Sequence, residues 1–209
     1  METYKYIADL FRYPTGDIIS RVHQFSDFLG KKDVLLHSKF QPFQNFFTNN
    51  SITALEEHYI CTFDVRAICH LDIGYIIFGD DSKRGRFLYH MKEEQILAGN
   101  DCGSELADFL PNVLTLLSKT DNRELAEELS VSILLPALSK MNQKLVSENN
   151  IYRIPVEILI SFLEKDFENS EYEAIKIVTK DKPGFLNHYV TGIDQSLFAK
   201  KPFKLRRDV

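Results

Sequence analysis

A chain of 209 residues with 44% hydrophobic and 26% charged residues has the size and make-up of one folded domain, and a net charge of −5 argues against general nucleic-acid binding. Sixteen Phe and nine Tyr with no Trp suit a core filled by aromatic rings, and the negative field favours a basic ligand. Cys61, Cys69 and Cys102 follow no disulfide-scaffold spacing, the start METYKYIADLFRYP lacks a signal-like apolar run, and nothing reaches the ~18 consecutive apolar residues of a membrane span, so a soluble, reduced, cytoplasmic protein without membrane insertion is expected.

Tyr4, Ile7, Ala8, Leu10 and Phe11 recur at helical spacing until Pro14 stops the pattern. Asp17 is the expected N-cap of a second helix carrying Ile18, Val22, Phe25 and Leu29, with Gly30 placed to end it. Leu35, Leu36, Phe40, Phe43, Phe46 and Phe47 predict a third helix, kinked or broken at Pro42. Thr53 and Glu56 have capping-box spacing before Leu55, Tyr59 and Phe63.

The pattern blurs after Asp64. Ile73, Tyr75, Ile76, Ile77 and Phe78 form a nearly continuous apolar run, assigned to helix because its surroundings are helical, and Gly79 ends it. Asp81 or Ser82 caps the next helix, with Phe87, Leu88, Met91, Ile96 and Leu97 on its inward side before Gly99. Asp108 is placed to cap a helix that tolerates Pro111 in its first turn. Asp121 and Glu124 open the longest expected helix, from Leu125 to Leu145, which Pro136 must kink or divide. Pro155 starts a last helix with Val156, Leu159, Ile160 and Leu163 inward. The expected architecture is an all-α single-domain helical bundle over residues 1–168, followed at 169–209 by a polar, irregular C-terminal tail that either drapes over the body or is mobile. A strand pattern is weakly present only at 174–178.

Candidate chemistry is sparse. His58, Cys61, Cys69 and His70 are of zinc-ligand type, but adjacent Cys69 and His70 point apart in a helix or strand, so packed Cys and satisfied His are expected and no metal site. The turn Gly79-Asp80-Asp81-Ser82-Lys83-Arg84-Gly85-Arg86 holds glycines and a helix start, which makes Lys83, Arg84 and Arg86 candidate phosphate or client contacts, yet it departs from GxxxxGK[ST]. The acid pairs Asp80-Asp81, Glu93-Glu94 and Glu127-Glu128 stand near no evident nucleophile, and no nucleophile elbow, HExxH or dinucleotide fingerprint is present. Arg206-Arg207 lies at the wrong end for an export signal and reads as an exposed basic tail. A non-enzymatic binding protein is therefore expected.

Leu10-Phe11-Arg12-Tyr13-Pro14, Tyr59 with Thr62-Phe63-Asp64, Tyr75, Phe78-Gly79-Asp80 and Lys83-Arg84-Gly85-Arg86 resemble segments of the TorD-type redox-enzyme maturation chaperones. Glu105-Leu106-Ala107-Asp108-Phe109-Leu110-Pro111 is similar to the Glu-Leu-Pro-Asp-Tyr/His-Leu-Pro of the nitrate reductase assembly (NarJ) branch, and Leu135-Pro136-Ala137-Leu138 and Asn150-Ile151-Tyr152 add weaker matches. The resemblance spans about residues 5–165 and departs from the branch at Ala107, where Pro is expected, and at Leu71-Asp72-Ile73-Gly74.

It implies a cytoplasmic assembly chaperone, a monomer or a dimer. The implied partner is the N-terminal peptide of the catalytic subunit of a molybdenum oxidoreductase, nitrate reductase-like or another member of the dimethyl-sulfoxide-reductase family. The chaperone holds that apoprotein for insertion of molybdopterin guanine dinucleotide before membrane attachment or export; the cofactor belongs to the client and is not stably bound by the chaperone. A helical peptide with apolar anchors and basic residues would lie in an apolar groove. Leu71, Tyr75, Leu110, Pro111 and Leu114 are the expected groove surface, with Asp64, Glu105 and Asp108 as acids at its rim. A permanent scaffold subunit and a nucleotide-binding enzyme using the Gly79 to Gly85 turn are the alternatives from other classes.

Overall fold

In the computed structural model, which describes residues 2–65 and 67–175, the fold is all-α, and no strand occurs among the described residues. The helices are α1 (Glu2–Leu10), α2 (Ile18–Lys32), α3 (Val34–Asn49), α4 (Ile52–Phe63), α5 (Ile73–Phe78), α6 (Ser82–Leu97), α7 (Leu110–Lys119), α8 (Arg123–Glu128), α9 (Leu135–Ser147) and α10 (Arg153–Asp166). α1 packs on α7, α2 and α10, α2 on α3, and α10 on α9 and α3, while α5 bridges α6 and α9. No helix among the described residues is long and apolar enough to cross a membrane.

Several helix boundaries differ from those expected, each for a local reason. α2 runs through Gly30, and Asp33 divides it from α3: the Asp33 amide donates to Leu29 O, while its carboxylate accepts from the Leu35 and Leu36 amides, both at 3.0 Å. α3 is continuous through Pro42. Proline there costs about 3 kcal/mol, but burial of Phe40, Phe43 and Phe47 at roughly 1.5–3 kcal/mol each outweighs it, and exposed Ser38 leaves its unpaired carbonyl to water. The caps of α4 and α8 are Ser51, accepting from the Ala54 amide, and Asn122, accepting from the Leu125 amide, rather than Thr53 and Asp121.

The long expected helix is divided. Leu129–Leu134 is a π-helical segment between α8 and α9, and Pro136 falls in the first turn of α9, where a missing amide donor is tolerated. The Ser132 carbonyl, four residues before Pro136, accepts instead from the Ile175 amide at 3.1 Å, and the Ser132 hydroxyl donates to Glu173 O. Residues 169–175 thus pack on the body. The rest of the expected tail, and most of the weak strand pattern at 174–178, lies outside the described residues.

The inward stripe of α6 is Phe87, Met91 and Gln95, whereas Ile96 and Leu97 are 68% and 66% exposed. Gln95 is held inside because its amide donates to Ala107 O at 3.1 Å and accepts from Asn100. Asn112 continues this buried network by donating to Leu106 O and Cys102 O, so polar groups fix the segment between α6 and α7.

The densest part of the core surrounds Tyr152. Phe11, Phe43, Phe47, His58, Tyr59 and Phe63 all place ring centroids within 6.2 Å of its own, and His58 stacks on it with planes 6° apart. Asn150 sets the ring's entry by accepting from the Tyr152 amide and donating to the Thr62 hydroxyl.

Candidate functional site

A cleft of about 910 Å³ opens where α1 ends, bounded by the α1–α2 connection, the start of α2, the end of α4, and the segments around Leu71 and Glu105. Pro14 makes this possible: helix α1 stops at Leu10, and Arg12 and Tyr13 follow it into the opening. The Tyr59 hydroxyl donates to Phe11 O at 3.0 Å and ties that chain end to α4, and Tyr13 meets the Tyr59 ring edge-on at 5.5 Å. Tyr13, Tyr59, Phe63, Leu71 and Phe109 form the apolar floor.

The charges around this floor divide into two groups. Arg21 donates to Asp9 O at 2.9 Å, to the Thr15 hydroxyl and to Asp17 at 2.8 Å, and Arg12 lies 3.5 Å from Asp9. Both arginines are thus paired with acids of the α1–α2 region, although the buried Arg21 Nε has no hydrogen-bond partner. The Thr15 hydroxyl and Arg21 hold the Asp17 carboxyl down at about 2. Asp64, Asp72 and Glu105 also line the cleft, and none of them makes an ion pair among the described residues. All three lie near the Tyr59 phenol, which is pushed upward by burial first and then by the charges of Glu105, Asp64 and Asp72, with Arg12 opposing.

Of the expected groove, the cleft brings together Asp64, Leu71 and Glu105. Leu110, Pro111 and Leu114 are buried instead, because α7 is a central helix with apolar residues turned toward α1. Tyr75 is half-buried outside the cleft lining, edge-on to His70 at 4.8 Å with the Arg84 guanidinium over its ring at 5.3 Å.

Asp108 is a correction to both roles expected of it. It neither sits at the rim, being 0% exposed, nor caps α7, whose N-cap is Phe109. Its Oδ2 accepts from the Gly74 amide at 3.1 Å and from Arg84 Nε at 3.4 Å. The Ile73 amide donates to Asp108 O and the Leu110 amide to Leu71 O, so an isolated antiparallel bridge joins Asp72 to Phe109. Asp108 thereby clamps the cleft wall carrying Leu71 and Asp72. Gly74 is required here, since a Cβ at this position would lie 2.6 Å from Asp108 Oδ2 and 2.8 Å from the Phe87 ring. Burial foremost, with the nearby Asp72 charge, raises the Asp108 pKa against the opposing pull of Arg84 and Gly74.

The Gly79 to Arg86 turn does not form a phosphate cradle. Asp81 Oδ1 accepts from the Lys83 amide at 2.9 Å and occupies the N-terminus of α6 that a phosphate would need, while Arg84 reaches inward to Asp108. Lys83 is half-buried and Arg86 exposed. Nor do the zinc-type residues converge: His58 stacks on Tyr152, His70 meets Tyr75 edge-on, Cys61 is exposed, and burial pushes the Cys69 thiol up to about 12. Among the described residues no group of three or more His, Cys, Asp or Glu side chains is placed to hold a metal.

Asp9, Asp17, Arg21 and Asp72 were not anticipated as cleft residues; Arg12 and Tyr13 entered only through the resemblance, and Tyr59 and Phe63 through helical spacing as well. Pro14 carried the usable signal, because residues at a forced helix stop sit at an open end of a bundle. No family model matches this chain, and no curated protein matches it.

Proposed function

We propose that this protein is an assembly chaperone that binds the N-terminal peptide of a molybdoenzyme catalytic subunit, nitrate reductase-like in type, and holds the apoprotein for cofactor insertion before membrane attachment or export. The observation that carries the reading is the cleft itself: an aromatic floor edged by Asp64, Asp72 and Glu105, carboxylates without ion pairs among the described residues. An amphipathic peptide with apolar anchors and Lys or Arg beside them is the complementary ligand. The anchors supply most of the affinity, and the rim acids accelerate encounter and fix register.

On this reading the chain works in the cytoplasm, and molybdopterin guanine dinucleotide enters the client rather than the chaperone. A chaperone for another enzyme of the dimethyl-sulfoxide-reductase family has the same cleft requirements; the peptide that binds decides between them. The reading as a nucleotide-binding enzyme is weakened by Asp81 at the N-terminus of α6.

Calorimetric titration with synthetic N-terminal peptides of molybdenum oxidoreductase catalytic subunits from the same genome tests the proposal. Saturable one-to-one binding, weakened by Asp64→Lys, is the expected result. Absence of binding by every peptide to the folded protein overturns it. Stoichiometric presence of this chain in the mature oxidoreductase would instead identify a permanent scaffold subunit.

A further inference from the structure

We propose that residues 197–207 of this same chain, Leu-Phe-Ala-Lys-Lys-Pro-Phe-Lys-Leu-Arg-Arg, dock in the acidic cleft in cis and act as an internal competitor for incoming peptide. This rests on the reading of the cleft as a peptide site. The segment lies outside the described residues, and its chemistry is read from its sequence.

Charge complementarity is the first support. Asp64, Asp72 and Glu105 present negative charge without paired cations among the described residues. Within a chain of net charge −5, Lys200, Lys201, Lys204, Arg206 and Arg207 concentrate positive charge in eight consecutive positions with no acid among them. Phe198, Phe203 and Leu205 are interleaved with these cations and match a floor of Tyr13, Tyr59, Phe63, Leu71 and Phe109. The segment therefore has the apolar and basic character that the cleft selects.

Reach is the second support. The Ile175 amide is anchored on Ser132 O at 3.1 Å, which fixes where the remaining chain departs. From there to Lys200 an extended chain spans roughly 80 Å at most, about twice the ~40 Å diameter expected of a body this size. A tether of that length gives an intramolecular concentration on the order of millimolar, so even a millimolar contact is substantially populated. If the segment fills the cleft about nine-tenths of the time, the apparent affinity of a competing peptide falls about tenfold. Weak, short-lived ligands are excluded, while a tighter client displaces the segment.

Zero-length carbodiimide cross-linking of the full-length protein tests this, with isotopically labelled and unlabelled chains mixed at low micromolar concentration and the products read by mass spectrometry. The expected products join Lys200, Lys201 or Lys204 to Asp64, Asp72 or Glu105 within chains of one isotope. The double variant Arg206→Glu, Arg207→Glu keeps every reactive lysine and is expected to lower their yield at least severalfold. Products spread evenly over other surface acids, products joining labelled to unlabelled chains, or an unchanged yield in the double variant would each overturn the proposal. No client peptide is needed, so this failure is distinct from failure of the client titration.

Discussion

Tyr152 and Asp108 stand behind different parts of one cleft's lining, Tyr152 against Tyr59 and Phe63 and Asp108 beside the segment carrying Leu71 and Asp72. Around Tyr152, rings from the end of α1, from α3 and from α4 enclose a fully buried phenol whose oxygen has no hydrogen-bond partner. Around Asp108, a single buried carboxylate holds the start of α5 and one arginine of α6 beside the start of α7, and its Oδ1 has no partner. The first region is held by area and shape, which tolerate chemical change if volume is kept. The second is held by particular atoms, where changes of a single group matter.

The largest test of that contrast is at the ring. Tyr152→Ala is expected to cost about 3–5 kcal/mol in urea unfolding, whereas Tyr152→Phe stays within about 1 kcal/mol of the parent because the hydroxyl has no bond to lose. A Phe variant as unstable as the Ala variant would show that the region depends on a polar contact after all.

Next comes the clasp. Gly74→Ala forces a Cβ against Asp108 Oδ2 and the Phe87 ring and is expected to cost about 1–3 kcal/mol. Asp108→Ala is expected to cost a similar ~1–3 kcal/mol by leaving the Gly74 amide without its acceptor. The double variant should cost less than the sum, since each change disables the same contact. Strict additivity in equilibrium unfolding would separate the two residues.

The pH dependence sharpens the comparison further. Asp108 has a folded pKa above its unfolded value, so its ionisation destabilises the fold: the favourable contribution is complete below the unfolded value and is lost as pH rises through the folded one. Asp108→Asn should therefore look most damaging in acid and progressively less so toward neutrality. His58 behaves in the opposite way. Burial lowers its pKa, so the unfolded chain takes up the proton first, and stability present above about 6.5 is lost as pH falls from there toward the folded pKa. His58→Phe should flatten the decline of the thermal midpoint between pH 7 and 5; an equal decline in both proteins would assign it to other groups.

The smallest expected change in stability belongs to the cleft. Asp64→Asn and Glu105→Gln, both at exposed positions, should shift stability by no more than about 0.5 kcal/mol while reducing the salt dependence of peptide association. A large loss of stability would make these acids part of the frame instead of the ligand surface.

The two regions were unequally legible in the sequence, and the difference is physical. Phe43, Phe47, Tyr59 and Phe63 repeat at helical spacing, so helix periodicity revealed them, and the helical assignment of Ile73–Phe78 agrees with α5. Asp108, Gly74, Gln95 and Asn112 lie inside for reasons of hydrogen bonding across the chain, and a pattern that sorts residues by hydrophobicity places them outside. Gln95 illustrates the error: by taking an inward position of α6 it turns Ile96 and Leu97 to solvent, the reverse of the expectation. At the cleft, Asp64, Leu71 and Glu105 were anticipated, but their assembly depends on the Leu71–Leu110 and Ile73–Asp108 backbone bonds, a long-range pairing with no local signature.

The Ser132 to Ile175 bond has a practical corollary for attaching probes. A fluorophore or fusion partner joined after Ile175 respects the body's last described hydrogen bond, whereas a junction after Asn169 deprives Ser132 of both the Ile175 amide and the Glu173 carbonyl.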